Sequence, residues 1–195
     1  SKLSNQEDII VGTPVAGRTH VDLENMLGLF VNTLPLRNQI KADLGFDDLL
    51  AKVSRGGIAC FDHQLYQYEE LVHALKVPRD SSRNPLFDVM FAYNDRSALP
   101  ATASDDATAT SIVDGGYGVA KFDLSFSATQ TSERLHFNFE YATDLFARAT
   151  IERFIHYFKN LVTAVLHDPT QAVFELGLLS AGDQQQLHWD FNAPS

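Results

Sequence analysis

The stretch Leu86–Tyr93, LFDVMFAY, decides the fold. Phe87, Val89, Phe91 and Tyr93 alternate to one side; Leu86, Asp88, Met90 and Ala92, mostly apolar too, line the other. A strand apolar on both faces has to be covered on both, which places it inside a sheet with layers above and below. Downstream, Lys121–Ala128 and Arg134–Tyr141 alternate as half-buried strands do, and the polar Gln130–Glu133 between them predicts a hairpin. Thr150–Leu166 is the best helix. Ile151, Phe154, Ile155, Phe158, Leu161, Val162, Val165 and Leu166 form one apolar stripe, and Asp168-Pro169 stops it.

Upstream of the central strand, Phe46–Asp62 repeats apolar residues at spacings of 3 and 4: Phe46, Leu49, Leu50, Val53, Gly57 and Cys60. Asp47 and Asp48 fall in its first turn, where the helix dipole favours them. Gly56-Gly57 costs it about 1 kcal/mol per glycine relative to alanine, and would permit close backbone packing. A second helix is predicted over Glu69–Lys76, stopped by Pro78. Earlier still, Asp8–Val11 is a short strand ended by Gly12-Thr13-Pro14, and Ala16-Gly17-Arg18 marks a further turn. Leu23–Phe30 is expected to be a short helix with Asp22 as its N-cap. Val31–Arg37 is extended. Pro35 cannot donate to a ladder, so this stretch is an edge strand or lines a cleft. The element order predicts an α/β layered domain with a mixed sheet of about five strands. No internal repeat is visible.

The chain has 195 residues, 45 % of them hydrophobic and 21 % charged, an ordinary globular composition. Lys+Arg number 15 against Asp+Glu 25, a formal net charge of −10. Such a surface repels phosphate backbones and anionic bilayers, so neither nucleic acid nor membrane is an expected partner. The opening SKLSNQEDII has no basic start and no apolar stretch, so no signal peptide is expected. Cys60 is the single cysteine, which excludes internal disulfides and cysteine-cluster metal sites. Its place on an apolar helix face predicts a buried, inert thiol, and the whole fits a cytoplasmic protein. Residues 95–118 are rich in Ala, Thr, Ser, Asp and Gly and read as a long loop. It is either a surface insertion or a crossover to another lobe. The composition turns polar after Glu175, and Asp183–Gln186 reads as a linker or a short exposed helix.

Tests for chemistry find no catalytic centre. The seven histidines (His20, His63, His73, His136, His156, His167 and His188) include no adjacent pair, no HxxxD element and no HExxH helix. His136, Asn138 and Glu140 read as the solvated face of a strand, and His156 and Lys159 as the wet side of the last helix. Gly12–Arg18, GTPVAGR, lacks the Gly-Lys-Ser/Thr of a phosphate loop. Taken alone, it is a strand-to-loop bend in which Gly12 and Gly17 take unusual backbone angles. Arg79, Asp80 and Arg83 could bind an anion, but internal pairing that pins the loop before the central strand is favoured. No metal site is expected.

Five blocks carry a resemblance. Asp8–Arg18 is DIIVGTPVAGR; Leu27–Arg37 is LGLFVNTLPLR; His63–Glu70 is HQLYQYEE; Arg79–Met90 is RDSSRNPLFDVM; Lys121–Phe126 is KFDLSF. In this order and spacing the chain resembles the second half of a condensation domain from nonribosomal peptide synthetases. The ending, FELGLLSAGDQQQLHW from Phe174 to Trp189, resembles the linker toward an adenylation domain. The resemblance implies that residues 1–175 are the C-terminal, acceptor-side lobe and residues 176–195 the start of the linker. Leu65 and Gln67 depart from the family's usual acidic residue and proline, and Ala147 stands where an aspartate commonly caps the last helix.

The implied fold is chloramphenicol-acetyltransferase-like: two α/β lobes in a V with the active site in a tunnel between them. The implied reaction joins an aminoacyl or peptidyl thioester on a donor carrier protein to the amine of an acceptor held on a second carrier. The family's HHxxxDG motif belongs to the N-terminal lobe and is absent here. No catalytic residue is therefore expected on this chain, which would be inactive alone. The resemblance implies that Gly12, Pro14, Ala16, Gly17, Arg18, Asn32 and Thr33 line the acceptor side, Asn32 and Thr33 as donors toward the cleft. Arg18 would serve as a cross-lobe ion pair or face the pantetheine arm. No cofactor would bind this lobe itself; phosphopantetheine arms arrive on carrier proteins. The implied partners are the N-terminal lobe, donor and acceptor carriers, and an adjacent adenylation domain. Two other classes stay open: a non-catalytic carrier-docking or scaffold module, and a lobe of a CoA-dependent acyltransferase, which would need its own HxxxD.

Overall fold

A computed structural model describes residues 3–23, 25–78, 80, 83–97 and 119–179. Its strands are β1 (Asp8–Val15), β2 (Asn32–Gln39), β3 (Val89–Asp95), β4 (Leu124–Gln130) and β5 (Leu135–Tyr141); its helices are α1 (Phe46–Asp62), α2 (Tyr68–Ala74) and α3 (Arg148–His167). The strands form one sheet in the order β2-β1-β3-β4-β5. β1 pairs β3 in parallel, with Gly12 opposite Met90, and β3 pairs β4 in parallel from Val89↔Leu124 to Asp95↔Gln130. β5 returns antiparallel on β4, with Phe126 opposite Phe139. β2 runs antiparallel to β1: the Ile40 amide donates to the Glu7 carbonyl at one end, and Gly17 meets Phe30 at the other. The sheet is mixed and five-stranded, as expected. The central strand is β3, and Pro35 lies in an edge strand, where its missing N–H costs no ladder bond.

The packed residues fall into two compact units. Among the described residues, the first comprises 3–9, 37–58 and 147–179. Here Ile151 and Leu176 are buried. The first amides of α1 are satisfied by the segment that follows α3: Phe46 donates to the Gln171 carbonyl (3.3 Å) and Asp47 to that of Pro169 (3.1 Å). A helix start has orphan N–H groups, and this contact supplies their acceptors. Gly45 bridges Ala172, and a Cβ there would stand 3.0 Å from the Thr170 carbonyl oxygen. α3 starts at Ala147 with no side-chain cap, as the departure at that position predicted. The expected linker boundary falls between exposed Glu175 and buried Leu176, and the Asn160 side chain still binds the Leu178 carbonyl at 2.8 Å. At the outer ends of β1 and β2, Arg37 grips Asp8 with both Nε and Nη2, and this hydrogen-bonded pair holds the Asp8 carboxyl below its usual pKa.

The second unit comprises the described residues of 10–36 and 59–146. Val15, Leu34, Val72, Phe87 and Ala128 form its buried apolar set. Phe126 is ringed by Phe91, Phe137 and Phe139, at centroid separations of 5.6, 5.4 and 4.5 Å. Each such pair contributes about 0.5–1.5 kcal/mol beyond area burial. Thr131 and Arg134 close the β4–β5 hairpin through mutual hydrogen bonds. His136, Asn138 and Glu140 of β5 are exposed, the solvated face expected of them.

Several local expectations are corrected. β1 does not stop at Gly12: it continues through Pro14 to Val15, because the ladder and the buried Thr13 and Val15 carry it on. Gly12 has no left-handed angle; Gly17 does, at φ 64°. The helix expected over Leu23–Phe30 is not found among its described residues. Only Val21–Leu23 make a 3₁₀ turn, so Asp22 lies inside that turn rather than capping a helix. Gly56 and Gly57 face open space, so they mediate no close backbone packing, and Cys60 is half-buried rather than buried. α2 ends at Ala74 because Lys76 turns left-handed at φ 51°, ahead of Pro78. Of the expected 95–118 loop, residues 98–118 lie outside the described residues, as does the segment Asp183–Gln186.

Candidate functional site

The end of β1, the start of β2, the α1–α2 connector and the approach to β3 meet in one corner of the second unit. Asn32 binds them. Its side-chain Nδ2 donates to the carbonyls of Gln64 (2.8 Å) and Tyr66 (2.9 Å). Its Oδ1 accepts the amides of Thr33 (2.8 Å) and Tyr68 (3.2 Å). Asn32 is buried, at 4 % exposure, and its four bonds are part-buried, where an unmade bond is costly. The blocks LGLFVNTLPLR and HQLYQYEE are thereby one structural piece. Both hydrogens of the Asn32 amide are spent within the chain, which removes it as an oxyanion donor and makes it a bracket.

Arg18 makes the second attachment. Its Nη1 donates to the Leu23 carbonyl and, at 2.9 Å, to that of Met26; Nη2 reaches the Gly28 carbonyl at 3.5 Å. The guanidinium also lies over the Phe30 ring, 4.5 Å from its centre. One cation thus takes the carbonyls of Leu23, Met26 and Gly28, in a segment where residues 25–30 stay irregular. Neither role expected of Arg18 is needed to account for its place: its partners belong to its own loop.

Gly12 is buried, and a Cβ there would lie inside the Phe87 ring. Gly17 packs its Cα against the Phe30 carbonyl in the left-handed conformation that glycine adopts without strain. Pro14 and Ala16 are exposed, and Thr33 is half-buried. So Gly12, Gly17, Arg18, Asn32 and Thr33 do gather, but through intermediaries. Phe87 is the main one: its ring meets Tyr68 at a tilt of 60°, 5.6 Å between centres, and stacks on Phe122 at 5.8 Å. A glycine inside an apolar strand marks a close approach, but β1 is expected to end at Gly12, which hides that sign.

At this corner the surroundings of Tyr68 alter its titration. Burial pushes its phenol up. The Leu86 backbone amide favours the phenolate in part, yet among the described residues no hydrogen bond of ordinary geometry reaches the buried hydroxyl. A cleft of ≈ 240 Å³ opens beside Phe87, lined by Pro78, Arg83, Leu86 and Asp88 among others. Arg83 is tied to Asp88 at 3.0 Å and so pins the turn before β3. Among the described residues, no three His, Cys, Asp or Glu side chains converge as metal ligands do, and no helix is long and apolar enough to cross a membrane. The corner offers shape and backbone polarity.

The family model for the condensation domain matches residues 1–188. This chain belongs to the condensation domain family. Among relatives, it is 40 % identical over 192 residues to tyrocidine synthase 3 of Brevibacillus parabrevis, covering 98 % of this chain and 3 % of that protein. It is 39 % identical over 191 residues to gramicidin S synthase 2 of Brevibacillus brevis, covering 98 % of this chain and 4 % of the relative. The chain thus spans a small fraction of the length of these synthetases. A solved four-domain nonribosomal peptide synthetase bound to AMP and glycine superposes with a TM-score of 0.80 at 22 % identity, over 92 % of this chain and 15 % of that one. The X-domain from teicoplanin biosynthesis gives 0.76 at 21 % identity, over 91 % of this chain and 41 % of the other. These likenesses speak for the fold, which is the α/β, chloramphenicol-acetyltransferase-like architecture of condensation domains.

Proposed function

We propose that this chain is the C-terminal, acceptor-side lobe of a condensation domain that forms amide bonds between carrier-bound thioesters. The observation that supports this most directly is the Asn32 bracket. It joins two family blocks into one rigid corner beside the small residues Gly12, Ala16 and Gly17. A rigid corner with thin walls suits an extended pantetheine arm whose amine has to meet a thioester at one point; much of the rate in such a reaction comes from positioning. In this reading Gly12, Pro14, Ala16, Gly17 and Thr33 border the arm, while Asn32 and Arg18 hold the border in place. Residues 1–175 form the lobe and 176–195 lead toward an adenylation domain in the cytoplasm. Phosphopantetheine arms come from donor and acceptor carrier proteins. The lobe lacks HHxxxDG and is inactive without the N-terminal lobe.

The test is amide formation between a loaded donor carrier and a loaded acceptor carrier. It is run with this chain alone, and again with a separately purified N-terminal lobe. Product only in the mixture is the expected result. Product from this chain alone would overturn the division of labour and return attention to its histidines. Tight binding of the loaded acceptor carrier with no turnover in the mixture would favour a docking module instead.

A further inference from the structure

Residues 26–31 form an unusual surface. Leu29 is 92 % exposed and Leu27 wholly so, while Met26 and Val31 are more than half exposed. From Met26 to Leu36 there is no charged residue, in a chain whose formal charge is −10. A slack loop would fold such leucines inward. This one is held: Arg18 takes the carbonyls of Leu23, Met26 and Gly28 and lies on Phe30, while Gly17 seats against the Phe30 carbonyl. The backbone is spent on Arg18 and the aliphatic side chains are turned outward.

We propose that Met26–Val31 is a preformed apolar contact, positioned by Arg18, that docks on the part of the condensation domain lying outside this chain. The inference rests on the reading of the chain as one lobe, and it assigns which segment makes the contact and which side chain sets it. Three observations favour this occupant. The chain spans only 41 % of the X-domain and 39 % of the first condensation domain of the CDA synthetase, so most of each of those proteins lies beyond the matched region. An uncharged, aliphatic contact has the composition of a permanent interface core, whereas transient partners meet on more polar surfaces. And a loop fixed in advance loses little conformational freedom on docking, which suits a contact that persists.

Hydrogen–deuterium exchange of the peptide covering residues 19–31 tests it, in the intact condensation domain and in this chain alone. The expected result is exchange about tenfold slower in the intact domain, the size of effect that a stable local contact gives. The double variant Leu27→Asp, Leu29→Asp should abolish that difference and leave the exchange of β3 unchanged in this chain. Arg18→Ala should speed exchange of the 19–31 peptide already in this chain alone, while β3 keeps its protection; a merely structural arginine would loosen both. Equal exchange in the intact domain and the single chain would overturn the proposal. So would protection that appears only on adding a carrier protein, or that rises with protein concentration as contact between copies would. The exchange readout is independent of turnover, so a failed amide-forming assay and a failed contact are told apart.

Discussion

Asn32 and Arg18 do similar chemistry with opposite consequences. Each uses side-chain N–H groups to hold backbone carbonyls. Asn32 reaches across 32 to 36 residues in the chain, is buried, and accepts as well as donates. Arg18 reaches 5 to 10 residues ahead, half-exposed, and shapes only the loop that follows it. The difference shows how one corner separates its tasks: a dry, long-range bracket sets the tertiary frame, and a wet, local clamp sets the outline of a surface loop.

The largest break of that comparison is Asn32→Ala. It strips partners from four backbone groups, each costing about 1–3 kcal/mol when left dry. With some water entering the space, a net loss of about 3–5 kcal/mol is expected in denaturant melts. Arg18→Ala should move the same melt far less, since solvent can take over its exposed carbonyls. Equal losses would erase the distinction between bracket and clamp.

Gly12→Ala comes next, by forcing a methyl into the buried Phe87 ring; a loss of about 1–3 kcal/mol is expected, as for other overpacked sites. Its relief by a second change, Phe87→Leu, would show that the ring and not the strand is what refuses the side chain. Tyr68→Phe sharpens the picture in the other direction. It removes a buried hydroxyl that lacks a partner among the described residues and leaves the Tyr68 amide on Asn32, so stability should rise by about 1 kcal/mol.

The smallest effect concerns acid. Asp168, bonded to the Thr170 hydroxyl and amide, and Asp8, bonded to Arg37, have carboxyls held below their usual pKa. A depressed carboxylate contributes stability above its unfolded pKa and loses it as pH falls through the folded one. Acid titration of the melt should therefore weaken the protein below about pH 4, and Asp168→Asn should flatten part of that slope. Asn32→Ala should shift the whole curve and leave its slope alone, because Asn32 does not titrate.

Much of this was legible in the residues. The central strand announced itself by having two apolar faces, the hairpin by its polar link, and α1 and α3 by their period. Pro35 narrowed β2 to an edge strand or a cleft-lining segment, and the sheet order makes it an edge. What local patterns could not show is that Arg18, placed by a turn at Gly17, takes the carbonyls of Leu23, Met26 and Gly28, in a segment whose leucines suggest a helix. Nor could they show that the four groups of the Asn32 amide are already committed, since its partners are a helix and a connector away. Gly12 read as a turn because nothing nearby in sequence reveals the ring of Phe87.

The amino-acid sequence by itself determined the elements, their order and the family, because periodicity and turn residues act over a few positions. The tertiary structure alone decided which polar side chains are spent on holding the chain together and which apolar ones are left facing out. Hydrogen-bond partners and burial depend on distances between residues remote in sequence. Those distances exist only once the sheet has brought β1, β2 and β3 side by side.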